Sequence, residues 1–66
     1  MKEKLLQIIT EHPGLRKREI ASYAHVWVLN SDFVNTMYDL QDEGLIHRQT
    51  RHDPANMEFY EMWYTS

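Results

Sequence analysis

Cysteine is absent from this chain of 66 residues. That excludes a disulfide framework and a thiolate metal site, and it removes any sign of an oxidising compartment. Long apolar runs are missing as well. The longest, Val26-Trp27-Val28-Leu29, falls far short of the roughly 20 residues that cross a bilayer. The opening segment MKEKLLQIITEH has neither the long apolar core nor the small-residue cleavage site of a secretory signal. No membrane association is expected, and the chain reads as cytoplasmic. There is no Gly-x-Ser-x-Gly, no glycine-rich phosphate loop and no carboxylate pair with a reason to be buried, so no enzymatic activity is expected. The histidines show no His-Glu-x-x-His or His-x-x-x-His spacing. His47 and His52 are an odd number apart and would sit on opposite faces of a strand, so neither a metal nor another cofactor is expected.

The last shortage is of positive charge in the middle of the chain. No lysine or arginine occurs between Arg18 and Arg48, where Glu19, Asp32, Asp39, Asp42 and Glu43 carry every formal charge. The cations form an early group (Lys2, Lys4, Arg16, Lys17, Arg18) and a late one (Arg48, Arg51), and the net charge is −3. A hydrophobic content of 42%, with two Trp, four Tyr and two Phe, predicts a folded chain, and its length suits one domain over residues 1–66. A domain of this size buries only about 60% of its unfolded surface.

Hydrophobic period and turn residues divide the chain. In KEKLLQIITE, Leu5, Leu6 and Ile9 share a helical face, and Pro13-Gly14 end the segment, predicting a helix over about 2–11. A second helix begins near Arg16 and carries Glu19, Ile20, Ala21, Tyr23 and Ala24. Leu15 and Arg16 are poor caps, and three cations in a first turn oppose the helix dipole. A third helix has Asn30 or Ser31 as its cap, Phe33, Met37 and Leu40 on one face, and Gly44 as its stop; Asp32, Asn35, Thr36 and Asp39 lie on the wet side. After Gly44 the runs LIHRQTR and MEFYEMWYT, joined by HDPAN, read as a β-hairpin.

This order, with LLQIITEHPGLRKREIA, then FVNTMYDLQDEGLIHR, then an aromatic last strand, resembles the winged helix-turn-helix family over nearly the whole chain, in particular small single-domain bacterial regulators. The resemblance implies an α+β fold of three helices and a C-terminal hairpin wing, with a short strand at Gly14-Leu15. It also implies DNA binding and transcription regulation. On this chain the second-helix contacts to double-stranded DNA would be Arg16, Lys17 and Arg18. The third helix would read bases through Asn35 and Thr36, and the wing would contribute Arg48, Arg51 and His52. Two features depart from the family pattern. The segment from Val26 to Asn30 is slightly long, and the third helix carries acids where the family usually has Arg or Lys.

Two functional readings follow. In the first, the chain is a DNA-binding regulator in which Arg16 to Arg18 and the wing hold phosphates. In the second, it is a protein-interaction module whose acidic third helix docks on a basic partner. The bland reading of the three cations is a solvated helix end. Arg48 and Arg51, an odd number apart, would point to opposite faces of a strand. A core this small cannot readily enclose all the aromatic and methionine side chains. Trp27, Tyr60, Trp63 and Tyr64 are therefore expected to form an interface, most simply that of a homodimer.

Overall fold

The computed structural model describes residues 1–66, as three helices and a hairpin in the order α1 (Lys2–Glu11), α2 (Lys17–Tyr23), α3 (Ser31–Asp42), β1 (Ile46–Asp53) and β2 (Glu58–Thr65). Leu5 and Ile9 of α1, Ile20 and Ala21 of α2, and Phe33, Met37 and Leu40 of α3 are buried. These are the apolar positions that recur at helical spacing, so each helix turns one stripe inward. Ala24, Ile46 and Trp63 complete the core.

The helix ends follow from identifiable groups. Asn30 caps α3, its side-chain oxygen accepting from the Phe33 N–H at 3.1 Å. At the other end Gly44 takes φ +73°, Gly44 N–H donates to Gln41 and Leu45 N–H donates to Leu40, closing the paired C-terminal bonds of a Schellman motif. The same motif ends α2 without a glycine: His25 adopts φ +58°, His25 N–H donates to Ser22 and Val26 N–H to Ala21. The turn accommodates the long Val26–Asn30 segment and sends Val26 back against the core. A non-glycine residue in this conformation costs about 1 kcal/mol. His25→Gly is therefore expected to stabilise the fold by up to about 1 kcal/mol in urea denaturation, the gain being reduced by the freedom glycine adds to the unfolded chain.

β1 and β2 pair antiparallel, with Ile46 opposite Thr65, Arg48 opposite Trp63, Arg51 opposite Tyr60 and Asp53 opposite Glu58. Alternation along the strands puts Arg48 and His52 on one face and Arg51 on the other, as their spacing requires. The outer edge of β2 is met by the segment after α1. Gly14 N–H donates to the Trp63 carbonyl and Trp63 N–H donates to the Leu15 carbonyl, both at 2.9 Å. This is the short Gly-Leu strand, and it draws β2 against the helices. No helix is long and apolar enough to cross a membrane.

Candidate functional site

Arg16 is the N-cap of α2, and Lys17 and Arg18 are its first helical residues. Arg16 has extended backbone and no acceptor on its side chain, so only half of a capping arrangement forms: the Glu19 carboxylate accepts from the Arg16 N–H at 3.2 Å. Glu19 thereby offsets part of the unfavourable placement of three cations at a helix start.

The three side chains are positioned differently. The Arg16 guanidinium lies 4.4 Å from the centre of the Tyr60 ring, within cation–π range, and stays exposed. Lys17 reaches inward, its ammonium 5.9 Å from the Tyr38 ring of α3 and 5.7 Å from the Trp63 ring of β2. Arg18 points to solvent from the next position. Together with Glu19 and, from the hairpin, Thr50, Phe59, Tyr60 and Glu61, they line a hollow of about 560 Å³ between α2 and the wing. The two ion pairs of the chain are Lys2 with Glu43 and Arg48 with Glu61, so none of the three cations is directly paired with a carboxylate, although Glu19 and Glu61 share the hollow.

The remaining expected contacts divide. Asn35 is exposed on α3 and free to present its amide. The Thr36 hydroxyl, half-buried, donates back to the Asp32 carbonyl at 2.6 Å, which leaves its oxygen as an acceptor and its methyl as a contact surface. Arg48 holds Glu61 across the hairpin at 3.2 Å, so part of its charge is already spent within the chain. Arg51 has no such partner, and His52 stacks on Phe59 with ring centres 4.6 Å apart. Asp32, Asp39 and Asp42 are all exposed along α3.

The expected interface is corrected by this geometry. Trp63 is fully buried and is the largest core side chain, so it presents nothing to a partner. The reason is the Leu15 strand, which seats the middle of β2 directly on the helices. Tyr60 is half-buried under Arg16, and Tyr64 is half-buried with its ring stacked on His47 at 5.8 Å. Of the four residues only Trp27 is open, at 69% exposure. Leu29, Met57 and Phe59 are equally exposed. Leu29 belongs to the apolar run beside Trp27, and Met57 is among the methionines that a core this small leaves out.

No protein-family model matches the sequence, and no curated protein matches it either. Solved structures do. MarR is similar with a TM-score of 0.74 and 26% identity, over 98% of this chain and 44% of that one. The transcriptional regulator SlyA gives 0.71 and 23%, over 98% and 42%. FabT of Streptococcus pneumoniae, solved in complex with DNA, gives 0.75 and 11%, again over 98% and 42%. The chain thus spans less than half the length of each of these structures.

Proposed function

We propose that this chain, a winged helix-turn-helix domain, binds double-stranded DNA as a cytoplasmic transcriptional regulator of bacterial type. The observation that carries the reading is the cluster Arg16, Lys17 and Arg18: three cations without carboxylate partners, at the start of α2, lining the hollow between that helix and the wing. Phosphate neutralisation supplies most non-specific affinity for DNA, and this is where the chain concentrates positive charge. Asn35 and Thr36 would meet base edges, an amide to adenine and a methyl to thymine, while Arg51 and His52 would approach the backbone from the wing. Two copies would supply paired half-sites. The likeness to FabT in its DNA complex supports the same use of the fold.

A second reading has its own observation. Asp32, Asp39 and Asp42 form an exposed acidic line on the helix that would enter the groove. That line suits a basic protein surface and repels phosphate. An NMR titration of labelled protein with a mixed-sequence duplex, at low and then higher salt, separates the two. Salt-sensitive shifts at Arg16 to Arg18, Asn35, Thr36, Arg51 and His52 are expected; their absence at low salt, where screening is weakest, would remove DNA binding. If α3 does lie in the groove, Asp39→Asn relieves a like-charge contact. It is expected to raise affinity about threefold to fivefold, on the order of 1 kcal/mol, in fluorescence anisotropy with labelled duplex. An unchanged affinity would place α3 away from the phosphates.

A further inference from the structure

A groove of about 730 Å³ opens beside the α2–α3 turn, lined by Ala21, Val26, Trp27, Val28 and Leu29 with Arg18 on its edge. Trp27 and Leu29 are 69% and 72% exposed, so nothing in the chain covers them. At the far end of the hairpin stands a projecting apolar tip. Met57, held at φ +56° in the turn, is 77% exposed, and Phe59, two residues on and stacked on His52, is 71% exposed. Asp53 and Glu58 face each other across the base of this tip.

These two acids bring negative charge to the end of the wing and suit a positive rim. One chain therefore carries a concave apolar groove edged by a cation and a convex, largely exposed apolar tip flanked by acids. We propose that the occupant of the groove is a second copy of this chain, with the wing tip of one copy seated between Trp27 and Leu29 of the next and Glu58 directed at Arg18, since Asp53 already accepts from Ala55 N–H and the Asn56 amide within its own turn. The contact is head-to-tail, using different surfaces on the two copies. It goes beyond DNA binding and does not depend on it.

The test needs no DNA. Sedimentation velocity from about 10 µM to about 1 mM covers the weak range expected for a small interface, and the wild-type chain is expected to self-associate there. Trp27→Ser damages the groove and leaves the tip; Met57→Ser with Phe59→Ser damages the tip and leaves the groove. All three side chains are exposed, so both variants retain the fold, which circular dichroism verifies. Each alone is expected to weaken association at least about tenfold, as loss of a central apolar contact does. Mixed together, they should form a one-to-one pair and nothing larger, because one intact tip meets one intact groove. A wild-type chain that stays monomeric throughout overturns the proposal and leaves the groove to a different protein. So does a variant that still associates alone as the wild type does. A mixture that fails to pair overturns it too, since groove would then be meeting groove, or tip meeting tip.

Discussion

Replacing Trp63 by alanine is expected to leave the chain largely unfolded at 25 °C. Trp63 is fully buried and is the largest of ten core residues. Its backbone is bonded to Gly14 and Leu15 on one side and its position pairs with Arg48 on the other, so the side chain fills the space where the strand segment, hairpin and helices converge. Truncating a buried tryptophan costs about 3–5 kcal/mol. A single core in a chain below about 70 residues rarely supplies more than about 3–5 kcal/mol in total. The loss is therefore comparable to the whole stability. Far-UV circular dichroism with urea titration checks this. A cooperative transition weakened by less than about 1 kcal/mol would mean that the packing around position 63 collapses readily to fill the gap. Trp63→Phe gives the contrast. The indole N–H has no hydrogen-bond partner, and an unsatisfied buried donor costs about 1–3 kcal/mol. Phenylalanine removes that cost along with part of the packing, so the fold should survive with a change of only about 1–2 kcal/mol.

The second large effect concerns DNA. Changing Arg16, Lys17 and Arg18 together to glutamine is expected to lower affinity for a mixed-sequence duplex by roughly a hundredfold or more at about 0.1 M salt. Each phosphate contact adds about 0.9 to the slope of log affinity against log salt, so losing three should flatten that slope by about 2.7. The slope is the sharper readout, because misfolding would not alter it in that proportion. Stability should fall by no more than about 1 kcal/mol, because relief of the helix dipole, a few tenths of a kcal/mol per cation, partly offsets the lost cation–π contacts of Arg16 and Lys17. Arg48→Gln is the control. Its guanidinium shares its charge with Glu61, so at most one phosphate contact is lost and the salt slope should fall by no more than about 0.9. If the triple variant binds as the wild type does, the three cations only solubilise the start of α2, and the acidic face of α3 becomes the surface to pursue.

Much of the fold was legible because its determinants are local. Pro13-Gly14 end α1, Asn30 caps α3, Gly44 terminates it, and the Asp53-Pro54-Ala55-Asn56 turn joins two β-prone runs. The end of α2 was not legible in the same way. His25 occupies a left-handed position that sequence reasoning assigns to glycine, and only the returning bonds from His25 and Val26 reveal the motif. Within the candidate site, the cation cluster could be read from adjacency. Its surroundings could not: Tyr60 under Arg16, and Tyr38 and Trp63 around Lys17, come from three separate elements.

The sequence by itself determined three amphipathic helices, a hairpin, their order, and a chain with its cations grouped in α1, at the start of α2 and in β1 and only acidic charge on α3. Those properties depend on residue spacing and on capping and turn chemistry, which act over a few positions. Tertiary structure decided which aromatic side chains are enclosed and which cations stay unpaired. Leu15 bonding to the edge of β2 sends Trp63 into the core and leaves Trp27 outside, and the hairpin register brings Glu61 to Arg48 while sparing Arg51. Both outcomes hang on contacts between segments distant along the chain, and no local preference encodes where two such segments meet.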